Sequence, residues 1–135
     1  RLHYDPDSQQ LHAGDSMRVF VRPTINPMLS SYVMRLTNIS QEQVETGLPL
    51  AHAVDALLRF ANSQRRTSPP CTPLLSWGND WSVVAKNLEL VHPEKLRQHS
   101  SASMCMHDVR HVFRSAGLNL SGYHSGTIHR AVGLH

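Results

Sequence analysis

Two short apolar runs, Leu74-Leu75-Ser76-Trp77 and Met104-Cys105-Met106, each give way within a few residues to a helical pattern, and this alternation constrains the fold most. The first run is broken by Gly78 and Asn79, after which Asp80 is placed to cap a helix carrying Val84, Ala85 and Leu88. The second leads to Asp108, the expected cap of a helix holding Val109, Val112, Phe113 and Ala116 and stopped at Gly117. A strand followed by a helix, twice over, points to an α/β fold.

Upstream, residues 1–5 and 17–22 alternate polar and apolar, which predicts a pair of strands joined as an antiparallel hairpin by the turn residues Pro6, Asp7, Ser8, Gly14 and Asp15. Pro23 and Asn26-Pro27 end the second strand, because proline cannot donate to a ladder. Met28, Tyr32, Leu36 and Ile39 then recur at helical spacing, and Ser40 with Gln43 forms a capping-box pattern. Leu50, Val54, Leu57, Leu58 and Ala61 define the clearest helix, residues 49–62. Residues 63–73 read as a solvated loop, and 92–103 as a loop with one helical turn. Ser125 is placed to cap a last helix with Ile128, Ala131 and Val132 on one face and Gly133 at its end. The expected architecture is one domain, residues 1–135, with a mixed β-sheet flanked by α-helices.

No apolar stretch approaches the roughly 18 residues that span a bilayer, and residue 1 onward carries no basic-then-apolar signal pattern. Cys71 and Cys105 are not spaced as a Cys-x-x-Cys pair and read as reduced thiols, so a cytoplasmic location is expected. A formal charge of +3 is a weak electrostatic footprint for nucleic acid. The 11 Arg against 2 Lys would suit bidentate phosphate contacts, although biased codon usage gives the same ratio. Arg1 falls inside a strand pattern, so a further segment is expected upstream.

Among chemical motifs, His107-Asp-Val-Arg-His111 has the spacing of the zinc-protease helix but replaces its Glu with Asp. Because Asp108 caps the helix, His107 should lie outside it, and the two imidazoles should not share a helical face. The remaining histidines, of ten in all, are scattered singly and read as incidental surface residues against a metal-binding role. Gly-x-Ser-x-Gly, Walker and Gly-x-Gly-x-x-Gly patterns do not occur. Asp80, just beyond an apolar strand, stands where layered α/β folds bind ligands.

The series Val21-Arg-Pro-Thr-Ile-Asn-Pro27, Leu36-Thr-Asn-Ile-Ser40, Gln43-Val44, the long helix, Leu75-Ser-Trp-Gly-Asn-Asp80, Asp108-Val-Arg110 and Ser125-Gly-Thr-Ile-His-Arg-Ala-Val-Gly-Leu134 resembles the DnaQ-like, or DEDDh, 3'-5' exonucleases, closest to their Eri-type branch. The resemblance implies a ribonuclease-H-like fold acting on the 3' ends of single-stranded RNA or DNA, with two Mg²⁺ or Mn²⁺ ions held by four carboxylates and a histidine as base. Carried over, Asp80 would be a catalytic metal ligand, Leu36, Thr37, Asn38 and Ile39 would lie beside the terminal nucleotide, and Trp77 and Asn79 would border the same cleft.

The departures carry equal weight. Asn38 stands where the family has Gly, tolerable at a left-handed position because Asn adopts it next most readily. The family's Asp-x-Glu pair occurs nowhere in the chain, and no Asp follows His135, so three of the four metal carboxylates and the base are absent. The expectation is therefore an exonuclease domain inactive as it stands or, alternatively, a non-catalytic binding module of that fold. The resemblance further implies that the family's first strand, which lies inside its sheet, belongs before residue 1, so that residues 1–135 alone would leave a strand edge uncovered and fold poorly or self-associate.

Overall fold

The computed structural model describes residues 2–63, 73–98 and 106–128, and the chain divides into two compact units, Arg1–Arg66 and Thr67–His135. The chain is mixed helix and strand. No helix among the described residues is long and apolar enough to cross a membrane.

In the first unit, β1 (Leu2–Asp5) pairs antiparallel with β2 (Gln10–Ala13), in register Leu2 with Ala13 and Asp5 with Gln10. The expected partner, 17–22, is not a strand. Asp5 closes the chain locally: its carboxylate accepts from the Asp7 N–H (3.0 Å) and the Ser8 hydroxyl (2.6 Å), and Gln9 adopts a left-handed φ of 54°. Val21 instead makes one parallel bridge to Leu48, in which the Arg22 N–H donates to the Leu48 carbonyl and the Leu48 N–H to the Phe20 carbonyl.

Helix α1 (Ser31–Thr37) starts at Ser30, whose hydroxyl accepts from the Val33 N–H, and ends at Asn38 with φ 54° and ψ 33°. The left-handed position inferred for Asn38 is thus occupied as such. In α2 (Gln41–Glu45) the capping box is complete: Ser40 accepts from the Gln43 N–H, and the Gln43 side chain accepts from the Ser40 N–H. Gln41 ties this helix to the preceding loop, accepting from the Leu29 N–H and donating to the Pro27 carbonyl. Helix α3 (Leu50–Asn62) matches the predicted span, with Val54 buried and Leu50, Leu57, Leu58 and Ala61 half-buried. Ala51, Ala53 and Val44 complete the buried residues described in this unit.

In the second unit, β3 (Leu74–Ser76) pairs parallel with β4 (Met106–Asp108), register Leu74 with Met106 and Ser76 with Asp108. This small parallel sheet is joined by α4 (Asp80–Val91), α5 (Pro93–Gln98) and α6 (Val109–Ser115). The predicted loop after His92 thus begins with α5, started by Pro93 at its first position, where a missing N–H costs nothing. Among the described residues the core here holds Trp81, Leu88 and Leu120, and Leu88 has no exposed surface. The last predicted helix begins in a turn in which His124, not Ser125, does the capping: its ring Nδ1 accepts from the Gly126 N–H, its N–H donates to the Thr127 hydroxyl, and its carbonyl accepts from the Ile128 N–H. The expected face Ala131–Val132, together with Cys71, Met104 and Cys105, lies outside the described residues.

Candidate functional site

Because β3 and β4 are parallel and in register, their C-terminal ends come out side by side, at Ser76 and Asp108. Each strand is followed at once by a helix start, so side chains and orphan helix N–H groups from both crossings meet at one end of the sheet. After β3 the chain turns through Gly78, buried and at φ +117°, a backbone conformation that side-chain-bearing residues rarely adopt. The Ser76 hydroxyl donates to the Gly78 carbonyl at 2.7 Å and tightens this turn.

Asp108 ties the two crossings together. Its Oδ1 accepts from the Gly78 N–H across the sheet and from the Arg110 N–H at the start of α6, both at 3.0 Å. Both oxygens also accept from the Arg110 side chain, Nε at 2.9 Å to each and Nη2 at 2.6 Å to Oδ2. The capping role expected of Asp108 is therefore present, and the carboxylate does more than cap. Its side chain is 12% exposed and that of Arg110 34%.

The Arg110 side-chain hydrogen bonds hold the Asp108 carboxyl well below the usual carboxylate range; burial opposes them, and the Arg110 and Gly78 N–H groups and the guanidinium charge reinforce them. A carboxyl depressed on folding adds stability that is complete above its ordinary pKa and is lost as pH falls. Asp108→Asn is accordingly expected to lower the thermal midpoint at pH 7 and to flatten its decline below about pH 4, as read in melts across that range. An unchanged acid limb would contradict the assignment.

Asp80 is the first residue of α4, and the cap is one position earlier. Asn79 accepts the Ser82 N–H at 3.3 Å, and the Ser82 hydroxyl donates to the Asn79 carbonyl at 2.8 Å. The correction has a simple cause, since either Asx side chain can cap and the Gly78 turn delivers Asn79 to the position where its amide oxygen reaches the open N–H. Asp80 is left exposed in the first turn, where its charge complements the helix dipole and adds to that of Asp108 in holding Arg110 protonated.

A cleft of about 400 Å³ opens at these strand ends, lined by Ser76, Gly78, Asn79, Trp81, Met106, His107, Asp108, His111 and Val112. Of the residues carried over from the resemblance, Asn79 borders this cleft and Asp80 adjoins it in sequence. Trp77 is not among the lining residues; its ring packs on Phe113, with centroids 6.1 Å apart and planes at 50°. Leu36, Thr37, Asn38 and Ile39 belong to the first unit, at the C-terminal end of α1. His107 sits on β4 and His111 on α6, so they share no helical face, yet both line the cleft. His111 Nε2 is 4.0 Å from Asp108 Oδ2.

The sequence marks Asp108 as a cap and His107 and His111 as a zinc-type spacing, and does not bring them together with Asn79 and Trp81 in one cleft. The available signal was Asp108-x-Arg110 shortly after the apolar run Met104–Met106, a spacing at which a capping carboxylate and a guanidinium can meet. The same pair decides whether a two-metal centre fits. The described residues alone do not supply one: Asp108 is engaged by Arg110, and no three described His, Cys, Asp or Glu side chains converge to hold a metal ion. No family model, curated protein or solved structure matches this chain.

Proposed function

We propose that residues 1–135 belong to a ribonuclease-H-like domain of the 3'-5' exonuclease type, and that the cleft at the ends of β3 and β4 holds the 3' end of single-stranded RNA or DNA without cleaving it. The observation that carries this reading is the make-up of the cleft at the C-terminal ends of two parallel strands. Met106 and Val112 contribute apolar surface for a base, and Asn79, His107 and His111 contribute hydrogen-bonding groups. Hydrolysis by this class needs several carboxylates converging on metal ions, and here Asp80 stands without the Asp-x-Glu pair.

The test is a titration of a 5'-labelled single-stranded oligonucleotide with the 135-residue chain, followed by fluorescence anisotropy at rising salt. Saturable binding is expected, with the logarithm of affinity falling by about 0.7 per phosphate contact for each decade of salt. Asn79→Ala and His111→Ala should weaken it, each by about three- to tenfold. A flat salt response or unaffected variants would argue against the cleft as a nucleic-acid site.

A second reading, metal-dependent trimming of 3' ends, is favoured by the place of Asp80 in the first turn of α4 directly beyond β3. It requires carboxylates from outside residues 1–135 to join Asp80. On that reading Asp80→Asn in a longer chain containing those groups abolishes Mg²⁺-dependent trimming and leaves the fold intact. Retained trimming would remove Asp80 from the metal site.

A further inference from the structure

The Arg110 guanidinium is placed by more than its pairing with Asp108. Its Nη2 lies 3.3 Å from where a Cβ on Gly78 would stand, so it covers the turn that leads two residues later into Asp80. The two carboxylates and the guanidinium together leave one negative charge. A free cation approaching Asp108 would have to displace the Nε and Nη2 hydrogen bonds and meet a fixed positive charge that no change of solution removes.

We propose that Arg110 is the built-in counter-ion of this site: tethered to the chain, it occupies the Asp108 carboxylate in place of a free cation, against the Gly78 turn that leads into Asp80, and so keeps that carboxylate closed to free cations. The guanidinium suits this role because its planar fork matches a carboxylate and stays charged at any working pH. The Asp108 carboxylate that it neutralises holds the Gly78 turn and the start of α6 together, a joint that would otherwise carry an uncompensated charge. The inference rests on the Asp108, Arg110 and Gly78 geometry and not on the nucleic-acid reading, so either stands if the other fails.

The experiment is a Mn²⁺ titration of the 135-residue chain and its Arg110 variants by calorimetry, with folding of each checked by circular dichroism. The unaltered chain and Arg110→Lys, which retains the charge, should give no saturable binding at millimolar Mn²⁺. Arg110→Met, which retains the apolar stem, should bind Mn²⁺ saturably in the millimolar range, where the unaltered chain does not, and this binding should vanish when Asp108→Asn is added. If Arg110→Met loses its helical signal, Arg110→Gln, whose amide can still donate to Asp108, is titrated in its place. Saturable Mn²⁺ binding by the unaltered chain that Asp80→Asn removes, or no gain in a folded charge-removing variant, would overturn the proposal.

Discussion

Replacing Leu88 with Ala is expected to cost about 2–5 kcal/mol, the largest single-site effect on stability in the second unit. Among the described residues Leu88 is the one large side chain with no exposed surface, and it lies seven positions after Trp81, two turns along the same face of α4. Deleting its branched end removes fully buried apolar area and leaves a void in its place. Both tryptophans of the chain, Trp77 and Trp81, belong to this unit, so urea unfolding followed by tryptophan fluorescence reports on it directly. A midpoint unchanged within error would show that α4 is not packed as described.

The second large effect is expected at Gly47, which is constrained by backbone and not by dihedral angle. A Cβ there would meet the Phe20 carbonyl oxygen at 2.7 Å, its carbon at 2.9 Å and the Arg22 nitrogen at 3.0 Å. These atoms carry the parallel bridge between Val21 and Leu48, so they cannot retreat without losing the Arg22-to-Leu48 and Leu48-to-Phe20 hydrogen bonds, of 2.8 and 2.9 Å. Gly47→Ala should therefore destabilise the first unit by about 1–3 kcal/mol, the range for overpacking a close contact. Hydrogen exchange is the sensitive readout, because the Arg22 and Leu48 amides should lose protection before those of α3. Unaltered protection at both amides would show that the bridge tolerates the added methyl group.

What the sequence made legible was local and periodic. Helix α3 follows from apolar spacing, the Ser40–Gln43 box from two side chains three residues apart, and the Asp108 cap from a carboxylate at a strand-to-helix junction. Each of these is decided within one turn of chain. The hairpin partner was not legible, because alternation in 17–22 competes with a turn closed by Asp5 and Gln9, whose hydrogen bonds and left-handed backbone leave no mark on hydropathy. The same limit explains the one-residue shift of the α4 cap, since Asn79 and Asp80 are chemically equivalent as caps and only the Gly78 turn distinguishes them.

The site was legible in outline, as a polar residue cluster beyond an apolar run, but neither strand is buried, Leu75 being exposed, and the working parts depend on pairing across the sheet. Ser76 opposite Asp108 is a register, and register fixes both the Gly78-to-Asp108 hydrogen bond and the common cleft of His107 and His111. A search for histidines on one helical face misses this pair because one of them is on a strand. Trp77 illustrates the reverse: a tryptophan beside a cleft in sequence is taken up by packing on Phe113.

The central claim, that the strand-end cleft of the second unit receives a single-stranded nucleic-acid end, is tested most directly by amide chemical-shift mapping of the 135-residue chain during titration with a short single-stranded oligonucleotide in the presence of a chelator. The account predicts saturable shifts concentrated at Gly78, Asn79, Trp81 and His111, undiminished by metal removal. Shifts confined to residues away from the cleft, or none at saturating oligonucleotide, would contradict it.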